Sequence, residues 1–252
     1  MRIAEAAPAR VIERPSPADP AVVIEAGPAQ EACRQIALVV RGQLEARGAR
    51  SLAVVSAVRD EGKTTTSCNL ALALASISPG REVALVDLDL RRPSIAQVMS
   101  VETQSGIEDV LTHEASLDEA RVEYLQPPLD VYLSMSPQRN AHEILTRQRL
   151  GDLFGELERR YSLIIVDTPP TLLVPDSRLI LERVSLCLPV ARAGISRVRS
   201  FRELLETLPR SQVLSTVLNG MKPNPQYYQG YDYGDDESEA KRARKRKRHG
   251  RT

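Results

Sequence analysis

The hydrophobic residues of this chain fall into short unbroken runs that alternate with helical stripes. Residues 51–56 (SLAVVS), 82–87 (EVALVD) and 163–167 (LIIVD) are nearly continuous apolar runs, as expected of strands buried on both faces of a sheet. Residues 129–133, 185–190 and 213–218 read as further strands. Between these runs, 63–77 predicts a helix rich in Ala and Leu, 143–160 a helix in one or two pieces, and 197–208 another helix. Ahead of the first strand, Ile36, Val39, Val40 and Leu44 form one stripe at helical spacing over 29–47, and Gly48 ends it. This repeated β–α alternation predicts an α/β fold, a mostly parallel central sheet flanked by helices on both faces.

The two ends have a different character. Pro8, Pro15, Pro17, Pro20 and Pro28 punctuate a stretch with few large apolar groups, which predicts a disordered Pro-rich arm over 1–28. From 223 onward, PNPQYYQGYDYG has no large aliphatic residue, DDESE is acidic and KRARKRKR is almost purely basic. That composition predicts a flexible tail over 223–252, leaving one folded domain over 29–222.

Overall composition refines this picture without changing it. A chain of 252 residues that is 42% hydrophobic supports one domain with a large core. No apolar run approaches the roughly 20 residues that cross a bilayer. The start, MRIAEAAPARVIERPSPADP, has no apolar stretch like that of a signal peptide, so the expected location is the cytoplasm. Cys33, Cys68 and Cys187 are odd in number and lack metal-ligand spacing, and read as reduced thiols. The net charge of +1 conceals an asymmetry: 223–252 hold 8 Lys/Arg against 5 Asp/Glu, and the rest of the chain carries −2.

Three constellations carry candidate chemistry. The first is Ser56-Ala57-Val58-Arg59-Asp60-Glu61-Gly62-Lys63-Thr64-Thr65, between a buried strand and a helix. That is the setting of a phosphate-binding loop, in which backbone N–H groups at a helix start cradle phosphate oxygens. Asp60 to Thr65 would line the nucleotide, Lys63 would reach the β- and γ-phosphates, and Thr64 would ligate Mg2+. The usual pattern has glycine where Ala57 stands. The second constellation is VALVDLDLRR, where Asp87 and Asp89 sit at the end of a strand with one side in common. Arg91 and Arg92 would neutralise the pair if it were merely a solvated loop. The third is YSLIIVDTPP, an apolar strand ending in Asp167, the Walker B form that orients Mg2+.

These residues resemble the bacterial tyrosine kinases of capsule and exopolysaccharide synthesis. The resemblance rests on EGKTTTSCNLALALA from Glu61, DLDLRRPSI from Asp87 and YSLIIVDTPP from Tyr161, with GIEDVLTHEASLDEA and VLNG in support, and covers about 29–222. It implies an ATP- and Mg2+-dependent protein-tyrosine autokinase. Lys63 and Thr64 would hold phosphates and metal, Asp87 would assist deprotonation of the acceptor, and Asp89 and Asp167 would position Mg2+. Tyr227, Tyr228, Tyr231 and Tyr233 would be the phosphoacceptors, modified in trans within a ring of subunits. Asn219 would hydrogen-bond the adenine, or with Gly220 simply form a turn. The implied partner is a membrane-embedded polysaccharide co-polymerase that activates the kinase.

Two positions depart from the family pattern. Asp60 stands where glycine is usual, and Ala37 replaces the last Arg of the oligomerisation motif ExxRxxR that begins at Glu31. They favour, as an alternative, a catalytically weak or inactive regulator or scaffold. A ParA/MinD-like positioning ATPase is a further alternative, but its signature lysine position is Val58 here. The basic run 241–248 reads either as a solvated end or as a site for an anionic membrane surface, at the inner face of the membrane, or an acidic partner, in preference to nucleic acid.

Overall fold

The computed structural model describes residues 10–13, 28–80 and 82–221. It divides into two units, Met1–Met221 and Lys222–Thr252. The second unit, with the four candidate phosphoacceptor tyrosines and the basic run, lies outside the described residues, as does most of the Pro-rich arm.

Eight strands and nine helices are present among the described residues. In chain order they are β1 (Arg10–Ile12), α1 (Pro28–Ala46), β2 (Ser51–Ser56), α2 (Lys63–Ile77), β3 (Val83–Asp87), α3 (Ile95–Val98), α4 (Ile107–Thr112), α5 (Leu117–Ala120), β4 (Arg121–Tyr124), β5 (Leu129–Tyr132), α6 (Ala141–Ile144), α7 (Arg147–Arg160), β6 (Leu163–Asp167), α8 (Asp176–Leu181), β7 (Leu186–Arg192), α9 (Val198–Thr207) and β8 (Val217–Asn219). The strands form one sheet in the order β1-β4-β5-β3-β6-β2-β7-β8. Every neighbouring pair is parallel except β4 and β5. The mostly parallel α/β architecture expected from the sequence is therefore the one observed.

The unbroken apolar runs have a direct cause. Successive residues of a strand point to opposite faces, and both faces here are covered. Leu52 and Val54 of β2 pack into one core with Val40 and Leu44 of α1 and Leu70 and Leu74 of α2. Ala53 and Val55 pack into the other with Leu150 and Leu157 of α7 and Leu204 of α9. Ala37 is fully buried in the first core, so the place where the family pattern has its last Arg is a packing position in this chain.

Several boundaries shift. The helix expected over 143–160 is two, α6 and α7, and the Thr146 hydroxyl caps the second by accepting the Arg149 N–H at 3.3 Å. The last strand is shorter than expected: β8 covers Val217–Asn219, and Val213 contributes only an isolated bridge to Cys187. As the edge strand, β8 has a partner on one side alone, so less of it is held in register. Strand β1 falls within the stretch expected to be disordered, where it pairs Arg10 to Ile12 with Val122 to Tyr124 of β4. The three cysteines are free, as expected. No helix among the described residues is long and apolar enough to cross a membrane.

Candidate functional site

The sheet order places β2 between β6 and β7, with β3 beyond β6. The C-terminal ends of β2, β3 and β6 therefore meet at one edge, and all three sequence constellations converge there. Asp87 and Asp167 stand side by side in the β3–β6 register.

The loop from Ala57 to Gly62 leads from β2 into α2. Gly62 has φ 87° and caps the helix N-terminus. A Cβ there would lie 1.9 Å from Asn219 Nδ2, so glycine is required by both conformation and space. Asp60 also adopts a left-handed φ of 64°, a conformation that Asp tolerates better than most residues. Glu61 is buried, and its carboxylate shapes the loop: Oε2 accepts the Val58 N–H at 2.9 Å, and Oε1 accepts the Ser196 hydroxyl. Arg192 Nη1 donates to the Asp60 carbonyl at 3.1 Å, and Asn219 Nδ2 donates to the Glu61 carbonyl at 3.4 Å. Sequence reasoning missed Arg192 and Ser196. They lie more than 130 residues from the loop in the chain, and only the pairing of β7 with β2 brings them to it.

Beyond the loop, the Lys63 ammonium lies 3.1 Å from Asp89 Oδ2. The Thr64 hydroxyl donates to Asp167 Oδ2 at 2.6 Å, and the Ser67 hydroxyl donates to Asp167 Oδ1 at 3.1 Å. Thr65 follows on the first turn of α2. Asp87 is fully buried and accepts the backbone N–H groups of Asp89, Ser94 and Ile95 at 3.1 to 3.2 Å. Its carboxylate thus organises the turn that carries Asp89, and Asp89 in turn lines the cleft. Arg91 bonds Asp176 through Nε and, at 3.2 Å, through Nη2. It is therefore pinned to the start of α8 instead of neutralising the aspartate pair.

The electrostatics follow from this crowding. Burial pushes the Lys63 pKa down, but the carboxylates of Asp167 and Asp89 outweigh it and hold Lys63 above the usual lysine value. Asp87 is pushed well above the ordinary carboxylate range, first by complete burial and then by Asp167 beside it. Asp167 is raised by burial against the opposing pull of Lys63 and the Thr64 hydroxyl. At the buried centre three carboxylates face the Lys63 ammonium alone, since Arg59 and Arg92 are exposed and Arg91 is paired with Asp176, so the centre is short of positive charge. A divalent cation between Thr64 and Asp167 would supply it. Mg2+ takes one or two carboxylates and completes its shell with phosphate oxygens and water. No cluster of three His, Cys, Asp or Glu able to cage a metal occurs among the described residues. The Thr64 hydroxyl and Asp167 carboxylate, one alcohol and one carboxylate, are a donor set that fits Mg2+ arriving with a nucleotide.

The cleft at this edge has a volume of about 170 Å3. Its lining combines charged residues, Arg59, Asp60, Lys63, Asp89 and Arg92, with apolar ones, Pro169, Pro170, Leu173 and Val174. Fold and loop together define a P-loop nucleotide-binding protein.

Comparison with known proteins agrees. The AAA domain family matches residues 52–217. Tyrosine-protein kinase YwqD of Bacillus subtilis is 30% identical over 190 residues, covering 75% of this chain and 79% of that protein. EpsB of Ralstonia solanacearum is 28% identical over 210 residues, covering 82% of this chain, which spans 28% of that protein's length. Among solved structures, the kinase domain of Escherichia coli tyrosine kinase ETK superposes with a TM-score of 0.73 at 22% identity, covering 87% of this chain and 93% of that one. The septum site-determining protein MinD of Pyrococcus horikoshii, determined with Mg-ADP, matches less well: TM-score 0.58, 21% identity, 71% of this chain and 76% of its own. Both structural likenesses speak to fold. The chain belongs to the bacterial tyrosine kinase family.

Proposed function

We propose that this protein is an ATP- and Mg2+-dependent protein-tyrosine kinase whose acceptors include tyrosines of its own sequence, Tyr227, Tyr228, Tyr231 and Tyr233. The observation that carries the reading is the convergence of two pairs in one cleft: Lys63 with Asp89 at 3.1 Å and Thr64 with Asp167 at 2.6 Å. On ATP binding, Lys63 would leave Asp89 for the β- and γ-phosphates. Thr64 and Asp167 would hold Mg2+, which supplies charge neutralisation to the phosphates. The acceptor phenol oxygen bonds the γ-phosphorus as the bond to the ADP oxygen breaks. The phenolic proton would pass to Asp89 in place of Asp87, the base that the sequence resemblance implies, because Asp87 is fully buried and its carboxylate is taken up by the backbone N–H groups of Asp89, Ser94 and Ile95. Asn219, beside Gly62, would face the base.

The same reading extends to setting and partners. Its relatives are named tyrosine-protein kinases, and the sequence motifs suit capsule and exopolysaccharide synthesis. The protein would work in the cytoplasm at the inner membrane face, activated by a membrane-embedded co-polymerase and assembling with further copies of itself. The basic run 241–248 would add attraction to anionic lipid, at about 1 kcal/mol per residue near the surface. A second reading, a nucleotide-binding regulator without transfer activity, is favoured by Asp60, whose charge sits on the phosphate loop.

The experiment is incubation of purified protein with ATP, Mg2+ and the candidate membrane activator, followed by mass spectrometry. Phosphotyrosine on the tail that vanishes in Lys63→Met supports the kinase. Nucleotide binding with a phosphate-free tail under those conditions selects the regulator.

A further inference from the structure

We propose that the cleft selects tyrosines followed by acidic residues, with Arg59 and Arg92 reading the acids and the Leu173–Val174 wall holding the ring. The inference rests on the kinase reading and names the substrate class of that same site.

The lining of the cleft is mixed in chemistry. Leu173 is 50% exposed and Val174 half-buried, apolar residues in the lining of the same cleft as Asp89. The same lining holds four cations, and two are already engaged. Lys63 pairs with Asp89 and Arg91 with Asp176. Arg59 and Arg92 are exposed on the rim, and among the described residues neither guanidinium pairs with a carboxylate. The cleft's volume of about 170 Å3 is below the roughly 300–1,000 Å3 of sites that enclose a whole small molecule. It suits a single aromatic side chain meeting a phosphate, with charge reading left to the rim.

This chain's own sequence offers that ligand. Tyr231-Asp232-Tyr233-Gly234 runs directly into Asp235, Asp236, Glu237 and Glu239. At 3.3–3.6 Å per residue, an extended peptide places Asp235 about 7 Å and Glu239 about 20 Å beyond Tyr233. The basic run starts at Lys241, eight residues past Tyr233, or about 27 Å along such a peptide. With a Debye length of about 8 Å at physiological salt, the acids nearest Tyr233, Asp232, Asp235 and Asp236, dominate the attraction to the rim arginines, and the lysines are the most strongly screened. Arginine suits the task because its planar fork pairs with a carboxylate through two parallel hydrogen bonds.

The test uses the full chain and two added peptides of the sequence 224–240. One is native, and the other has Asp232, Asp235, Asp236, Glu237 and Glu239 replaced by Asn or Gln. Exposed ion pairs are individually weak, so their combined loss should raise the KM of the neutral peptide about 5- to 10-fold with kcat unchanged. The variant Arg92→Glu, outside the phosphate loop, should lose most of that preference and gain one for a peptide bearing Lys at the same positions. Equal KM values for acidic and neutral peptides would overturn the inference, as would an unchanged preference in Arg92→Glu. If no peptide is phosphorylated at all, the kinase reading fails. Fluorescence anisotropy of the same peptides on Mg-ADP-loaded protein then decides the inference separately: tighter binding of the acidic peptide sustains it and equal binding ends it.

Discussion

Asn219 Nδ2 occupies the space beside Gly62 where any side chain at that position would begin, 1.9 Å from an ideal Cβ. The contact joins the edge strand β8 to the phosphate loop and fixes the residue that the loop can tolerate. Gly62→Ala must therefore either displace Asn219 or distort the loop, in addition to the roughly 1–2 kcal/mol that left-handed backbone imposes on an L-residue. The expected result is loss of Mg-ADP binding by calorimetry, with the melting temperature lowered by several degrees and the far-UV circular dichroism unchanged.

Asn219→Ala relieves that crowding and removes the amide that faces the Glu61 carbonyl and, in the proposed complex, the base. Discrimination between ATP and GTP should fall about tenfold, the worth of one or two hydrogen bonds. A competition titration with the two nucleotides measures it. Unchanged discrimination would reduce Asn219 to a turn residue.

Ser196→Ala leaves Glu61 Oε1 without its hydroxyl donor in a buried site. The loss should lower stability by about 1–3 kcal/mol. Because Glu61 also holds the Val58 N–H, nucleotide affinity should weaken several-fold. Chemical denaturation and calorimetry on the same variant separate the two effects. Ser196→Thr, which keeps the hydroxyl, should recover most of the affinity.

Alkaline pH should unfold the protein through its tyrosine pair. Tyr132 and Tyr161 share a hydrogen bond of 2.7 Å, and Tyr161 donates on to Asp130. Burial pushes the Tyr132 pKa up to about 12 from the ordinary 10. The unfolded chain thus ionises first. The stabilisation is complete below pH 10 and is lost as pH rises through about 12; a shift of that size corresponds to about 2–3 kcal/mol. Urea midpoints followed by circular dichroism should be level from pH 8 to 9.5 and fall steeply above 10. In Tyr132→Phe the fall should be shallower.

Anionic liposomes test the basic run. Full-length protein should sediment with them at low salt and be released at high salt, as screening shortens the reach of the charges. A version ending at Ala240 should stay in the supernatant. Equal sedimentation of the two would remove residues 241–248 from membrane attachment.

What is local in this protein can be read from its residues in order. The buried strands are legible because both faces of each are covered, so Leu52 to Val55 read as one apolar run. Lys63, Thr64, Asp87, Asp89 and Asp167 are legible because each sits at a strand end or helix start whose position that pattern sets. The short helices α3, α4, α5 and α8 carry too few residues for a period to show. Strand β4 alternates between half-buried and buried residues over only four positions. What the tertiary structure alone decided is which elements are neighbours. The β2–β7–β8 pairing delivers Arg192, Ser196 and Asn219 to the phosphate loop, and the start of α8 delivers Asp176 to Arg91. An apolar run records that a strand is covered but not by which strand it is flanked. Those contacts between distant parts of the chain arise only when the two cores pack and set the strand order.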